Sequence, residues 1–536
     1  MRPRHGDHAS DRYRHRLARP GSGRLGSSRL GRAGAGLALV AAAICAGTAP
    51  AVAAQQQTIW VDPARGDDGA SGSSRGAAVR TLAEAWRRIP QGTPLTEGVR
   101  IAILPGRLTV EMVPNYLESR YGTADAPITI EAAGKRGSVT MASLNVYDVR
   151  YLTLRGVRIQ ASGGDGFHCE KCDHVTIENS IIRGAPRDSG EVGDLVKVNQ
   201  SQHMAILRSD VSGAGDNAID FVSVQHGQII GNRIHDAGDW CAYVKGGSAY
   251  VEVIGNEIYD CGTGGFTAGQ GTGFQFMTPP WLQYEAYGIT IANNFVHDTE
   301  GAGLGVNGGY DILLAHNTLM RVGQRSHVAE FVAGGRSCDG QPGDEGRERC
   351  GEYLRAGGWG TTAVDSGENY VRIPNRHVAF VNNLIVNPNG QGSQWEQFAL
   401  PGPYSGPGQA GSGAPNPARF DDDLLIAGNL IWNGPVDHPL GIGDASGCQP
   451  SNPTCNERQL RAANAINRIN PELARNGRPT PAAIGALQGI AVAIPAMGWS
   501  DAPAGVPAGT MATAALARDR LGVPRGEAPL PGAFQR

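Results

Sequence analysis

The sequence predicts an all-β chain wound as a single-stranded parallel β-helix, with an N-terminal capping helix and an irregular C-terminal tail. Three observations carry this. One short phrase recurs with spacings of 23, 24 and 23 residues at its most regular; glycine is abundant at 77 residues with only 6% aromatics; and the segments between corners alternate apolar and polar. No Gly-X-Y triplet or heptad runs through the chain, which excludes collagen and coiled coil.

Residues 1–54 read as a targeting segment. An Arg-rich start leads to an apolar run from Leu37 to Ala46, then to small residues ending Ala51-Val52-Ala53-Ala54. The run is too short for a membrane span, and no later stretch reaches ~18 apolar residues. A secreted or periplasmic, monomeric protein is expected. The segment holds nine Arg and two Asp, so removing it takes the net charge from −3 to −10. That balance disfavours nucleic acid as a partner. Eight cysteines follow the segment, an even number that suits disulfides in an exported chain. Cys338/Cys350 and Cys448/Cys455 are placed to staple long loops. A zinc site at Cys169-x-x-Cys172 lacks a second ligand pair at matching spacing.

The β-helix is expected over 55–435, with a cap and tail over 436–536. Ile59-Trp60-Val61-Asp62 reads as the first strand. Thr81 followed by Glu84 has capping-box spacing for a short helix that plugs the N-terminal end. Between 150 and 435 the phrase Asn-x-(Ile/Val/Leu) returns at Asn179, Asn232, Asn256, Asn294, Asn317, Asn383 and Asn429, with Ser209 in the same place once. Each copy marks a corner where Asn can bond the coils above and below. Longer intervals imply loops at Gln270 to Tyr287 and Ser326 to Asn375. The latter part, Asn467 to Arg536, is rich in Pro and Ala.

The opening IWVDPARGDDG, the following VRTLAEAW and ILPG, the Asn coils and the ending DRLGVPRGEAPLPGAF resemble secreted right-handed parallel β-helix proteins of the pectate-lyase-like superfamily. The resemblance covers most of 57–536. It implies this fold, wound right-handed, and a carbohydrate ligand, without choosing among lyases, hydrolases, epimerases and adhesive proteins.

Overlaying the coils aligns strands beginning at Gly166, Leu195, Ala218, Cys241, Gly265 and Gly303. Their second and fourth places are apolar and face the core, Ile219 and Phe221 among them. Odd places face outward, so the third column reads His168, Lys197, Asp220, Tyr243, Thr267 and the fifth reads Glu170, Asn199, Val222, Lys245. Before the strands stands a further column: Asp165, Asp194, Asp216 with Asn217, and Asp239. Each Asp could cap its own corner. Alternatively, stacked carboxylates could share a calcium ion.

Asp216-Asn217-x-x-Asp220 resembles the Asp-Asp-x-x-Asp element of calcium-dependent pectate lyases with a lysine base, whose further Asp is matched by Asp194. The resemblance implies calcium at Asp194, Asp216, Asn217 and Asp220, with Asn replacing one Asp. Only four of 47 basic residues are Lys, and Lys197 and Lys245 both fall beside this cluster. Lysine, unlike arginine, can give up its proton.

The expected function is β-elimination on a uronic-acid polymer, an anionic polysaccharide. Lys245 is the expected base and Lys197 the binder of the substrate carboxylate; calcium, helped by Lys197 or His168, is expected to stabilise the developing charge, and Tyr243 or water to protonate the departing oxygen. Glu170, Asn199, Trp281 and Tyr284 are expected to bind substrate, the aromatics by stacking on sugar rings or else by packing on their own coil. A Lys197–Asp220 surface ion pair is the competing reading. A glycoside hydrolase using Asp216, Asp220, Asp239 or Glu170, a C5 epimerase, and a non-catalytic carbohydrate-binding β-helix are the alternatives. His235-Asp236, Tyr259-Asp260 and His297-Asp298 read as repeated turn chemistry.

Overall fold

The structure is a computed structural model that describes residues 56–273, 276–278, 284–337, 348, 371–387, 397–401, 422–434, 440, 456–499 and 509–536. All fall in one unit, Ala54–Arg536. The chain winds as a right-handed parallel β-helix. Among the described residues, three parallel sheets of 13, 10 and 12 strands run along it, with a small three-stranded sheet at its side.

The first strand, Gln56–Val61, pairs with Gly98–Ile103. The plug is the helix Leu82–Arg87, where Thr81 Oγ1 accepts from the Glu84 N–H at 3.0 Å. Glu84 does not complete the capping box, because its carboxylate takes Arg87 and Arg88 instead. Leu82, Ala85 and Trp86 are buried over the open end of the core.

Strand phase follows the alternation. Phe167, Cys169, Val196, Val198, Ile219, Phe221, Ala242, Val244, Phe266, Ala268, Leu304 and Val306 are all 0% exposed. Burying each large apolar side chain contributes ~1.5–3 kcal/mol, so the phase is strongly fixed. Their neighbours His168, Lys197, Asp220, Tyr243 and Thr267 pair rung to rung on the outer side of the ten-stranded sheet.

The corner is a buried ladder. Asn256 Oδ1 accepts from the backbone and side-chain N–H of Asn232 at 2.9 and 3.0 Å, while its own amide donates to Ile229 O and Asn294 Oδ1. The same bonds join Asn294 to Asn317, Asn317 to Asn383 and Asn383 to Asn429. Two details depart from the sequence reading. Ser180, not Asn179, occupies the corner below Ser209, because Ile182 and not Ile181 enters the core; Asn179 is exposed. The ladder also runs one rung past Asn429 to Asn464, just after the helix Glu457–Ala463.

The C-terminal residues lie along the coils. Arg525 donates to Asn293 Oδ1 at 2.6 Å, and Ala533 N donates to Thr318 Oγ1 at 2.8 Å. Disulfides join Cys169 to Cys172 and Cys241 to Cys261, so Cys169-x-x-Cys172 is not a zinc site. The expected pairs Cys338/Cys350 and Cys448/Cys455 lie outside the described residues.

Asn256→Ala would remove four buried hydrogen bonds and leave the Asn232 N–H without its acceptor, while Asn294 Oδ1 and the Asn232 amide each keep one other partner. At about 1–3 kcal/mol for each group left dry, a loss of at least ~3 kcal/mol is expected, read as a lower urea midpoint with unchanged slope.

Candidate active site

Parallel pairing places like positions ~4.8 Å apart, so the outward columns of the ten-stranded sheet are contiguous. Their centre is an ion triad. Lys197 pairs directly across from Asp220 and stands three residues after Asp194. Its Nζ lies 2.6 Å from Asp194 Oδ2 and 3.1 Å from Asp220 Oδ2. Burial alone would lower the Lys197 pKa, but the charges of Asp220 and Asp194 outweigh it and push it far up. The ammonium is therefore a fixed charge. Its side chain remains 31% exposed.

Asp194 is saturated. Its Oδ1 accepts from the Asn217 backbone N–H at 3.1 Å and from the Asn217 amide at 2.9 Å. Burial raises its pKa, but Lys197 and these hydrogen bonds prevail and hold it below the usual carboxylate value. Asn217 also donates to Asp216 Oδ1 and the Tyr243 hydroxyl, while its Oδ1 accepts from Trp240 N at 3.2 Å. Asp194 and Asn217 thus bond the corner of the following coil, which differs from the alternative in which each Asp caps its own.

Several expectations change here. Asp220 points away from the core but is only 1% exposed, covered by its own column, so it is not a surface ligand. Burial raises its pKa against the opposing charges of Lys245 and Lys197, and its Oδ1 has no hydrogen-bond partner. Tyr243 is 3% exposed. Burial, then the surrounding Asp charges, hold its hydroxyl protonated well past the ordinary range, and that hydroxyl meets Asn217 inside the wall. It is not placed to protonate a leaving group. Tyr284 is 1% exposed and packs edge-on against Tyr287, so it offers no face to a sugar. Trp281 lies outside the described residues.

The groups that do reach the surface are Lys245, His168, Glu170 and Asn199. Lys245 is half-buried; its Nζ donates to Gln270 Oε1 at 2.8 Å and lies 4.4 Å from the Tyr243 ring centroid. His168 Nε2 sits 3.2 Å from the Asn199 amide, and burial lowers the His168 pKa, keeping the ring neutral. Glu170 lies 3.8 Å from Lys171 Nζ.

Asp165 and Asp216 are each pushed up to about 6, by burial first and then by the charge of Asp194. The Asp216 side chain is exposed, so crowding by the Asp194 and Asp239 charges is the stronger cause there. Asp239 is raised for the same reasons, with the Thr263 hydroxyl opposing.

Sequence reasoning missed Glu330. It continues the third column through Thr267 and Gly305, and burial alone pushes it to about 7. Its strand Ala329–Val332 falls in the stretch from Ser326 that the Asn spacing assigned to a loop. Alternation within VAEFV was the signal available.

The predicted calcium ligands do not fit a calcium ion as they stand, since Lys197 lies between Asp194 and Asp220 and the Asn217 oxygen is taken by a backbone N–H. Among the described residues, the one trio of potential ligands whose donor atoms converge is Asp173, His174 and His203, on the 13-stranded sheet. There the two stacked imidazoles already direct their Nδ1 atoms at one acceptor, Asp173 Oδ1, at 2.6 and 3.0 Å.

Residues 142–334 match the right handed beta helix region family. No curated protein matches the chain. Among solved structures it is similar to a pectate lyase (14% identity, 62% of this chain and 76% of that one, TM-score 0.39). A rhamnogalacturonan lyase aligns at 13% identity over 70% and 87%, TM-score 0.43. The A-module of a mannuronan C-5 epimerase from Azotobacter vinelandii aligns at 14% identity over 64% and 87%, TM-score 0.36. These are likenesses of fold.

Two outcomes test the electrostatics. Lys197→Met leaves two buried carboxylates uncompensated and is expected to cost about 3–5 kcal/mol in urea denaturation without added cations. Asp165 has a folded pKa raised from 3.8 to about 6, so its penalty is absent below about 4 and grows as pH rises through 6. Asp165→Asn should therefore stabilise by about 1–2 kcal/mol at pH 8 and by nothing at pH 4, read from thermal melts.

Proposed function

We propose that the protein is a polysaccharide lyase that cleaves a uronic-acid-containing polymer laid across the outward face of the ten-stranded sheet. The observation that carries this is the lysine pair. Two of only four lysines in the chain act on the Asp220 carboxyl, one from the strand on each side of it. Their environments differ, and so do their roles.

An ammonium has three donors. Lys197 spends two on Asp194 and Asp220 and keeps its charge, leaving the third for a substrate carboxylate. That fixed charge stabilises the enolate-like density that develops when the proton α to the carboxylate departs. Neutral His168, steadied by Asn199, adds a hydrogen bond to the same region. Lys245, oriented by Gln270 and the Tyr243 ring, accepts the C5 proton in its free-base form. The C5–H electrons become the C4–C5 double bond, the C4–O4 bond breaks, and water protonates the departing oxygen. No step requires Tyr243. Gly246 and Gly247, which follow Lys245, are buried at positive φ of 67° and 79°, so they turn the backbone beneath the lysine and do not open a path for a chain.

One observation favours a second reading. Asp165 and Asp216, both titrating at about 6, stand on coils two apart, ~10 Å by strand spacing. That spacing lies near the upper end of the range used by inverting glycoside hydrolases.

Export as a monomer completes the proposal. The disulfides support an oxidising compartment. Among the described residues no helix is long and apolar enough to cross a membrane.

The test is product analysis on uronate polymers, with Lys245→Ala alongside. Unsaturated ends are expected, and the folded variant should release them about 10²–10⁴-fold more slowly. Saturated reducing ends would move the assignment to hydrolysis, an inverted C5 centre to epimerisation, and binding without turnover to a carbohydrate-binding role. Wild-type rates from a folded Lys245→Ala protein would remove Lys245 as base.

A further inference from the structure

We propose that the Lys197 ammonium permanently occupies the place of a divalent cation in the Asp194–Asp220 cluster, so that the protein works without a metal there. In its functional meaning this rests on the reading above; its geometry and its test do not.

The stack of aspartates is a site that calls for a cation. Asp165, Asp194, Asp216 and Asp239 precede successive strands, and Asp220 adds a fifth carboxylate behind them. Calcium would meet such a cluster with six to eight oxygen ligands. Here both oxygens of Asp194 and one of Asp220 are already engaged. Asp194 Oδ2 and Asp220 Oδ2 flank Lys197 Nζ at 2.6 and 3.1 Å. Asp194 Oδ1 takes two Asn217 donors, and Asn217 Oδ1 takes the Trp240 N–H. Asn217 turns its amide nitrogen, which cannot ligate a cation, toward Asp194 and Asp216. Only Asp220 Oδ1 is a buried oxygen of this set without a partner.

The register makes the lysine an effective substitute. It is directly paired with Asp220 and lies in the same coil as Asp194, so both carboxylates meet it whenever the coils stack. A tethered charge needs no free ion and is insensitive to chelators. A calcium ion, by contrast, would have to displace an ammonium held by two buried carboxylates.

Calorimetric titration with calcium chloride and thermal melts in calcium and in EDTA test this on the full chain and on Lys197→Ala. The wild-type protein is expected to show no saturable binding at the cluster and the same melting temperature in both media. Lys197→Ala is expected to melt lower in EDTA and to regain stability with saturable calcium binding that Asp194→Asn abolishes. Wild-type binding removed by Asp194→Asn would overturn the proposal, as would a folded Lys197→Ala protein indifferent to calcium. If Lys197→Ala does not fold in either medium, the wild-type arm decides. Failure to cleave any uronate polymer would refute the lyase reading and leave these results standing.

Discussion

In-register stacking of coils is the constraint on which the rest of this molecule depends. A parallel coil leaves a corner N–H in each turn with no strand partner, and a buried N–H without an acceptor is costly. Asn solves it because one side chain accepts from the rung on one side and donates to the rung on the other. Asn256 does both, to Asn232 and Asn294. Once those corners are locked, every other position is locked too. A residue type that recurs at one place in the coil must then stand in a column at ~4.8 Å, whatever its chemistry.

Columns succeed or fail according to that chemistry. On the 13-stranded sheet, Tyr151, His174, His203, His226 and Tyr250 make an unbroken stack with centroids 4.0–5.4 Å apart. Flat rings gain from such spacing. Each of the five holds a positive φ near 50–56°, a backbone cost that the stack and core offset together. Carboxylates at the same spacing repel. The Asp column answers in two ways: Lys197 neutralises Asp194, and Asp165, Asp216 and Asp239 are shifted upward.

Much of this was legible in the sequence because period-two alternation and a polar corner are both local signals. Ile219 and Phe221 point inward and Asp220 outward, as the pattern requires. What alternation does not encode is depth. Outward meant exposed in the sequence reading, yet Asp220, Tyr243 and Thr267 are sealed by neighbours from adjacent coils. The same gap explains Tyr284, which an aromatic loop sequence presents as a platform and the structure packs against Tyr287 and Tyr310. Corners misled by one residue where Ser180 does the work of Asn, and again at Asn464, whose neighbours are helical. Glu330 escaped because its strand sits inside a long gap between Asn corners. Lys197 was visible, but sequence could not say whether its charge faced a substrate or its own aspartates.

The answer to that last question separates two chemically identical side chains. Lys197 stands in line with Asp220 and three residues from Asp194, so two carboxylates hold its proton and its charge is structural as much as functional. Lys245 stands two rungs on and one column over, where the neighbouring residue on the preceding strand is Val222, not an acid, and its nitrogen meets an amide oxygen and an aromatic face. The proposed elimination calls on both cations, one held between two carboxylates and one that meets an amide oxygen and an aromatic face. A solenoid supplies them with the same residue by moving it two places along a strand and two coils along the stack, since that changes which column it joins and therefore which neighbours fix its charge.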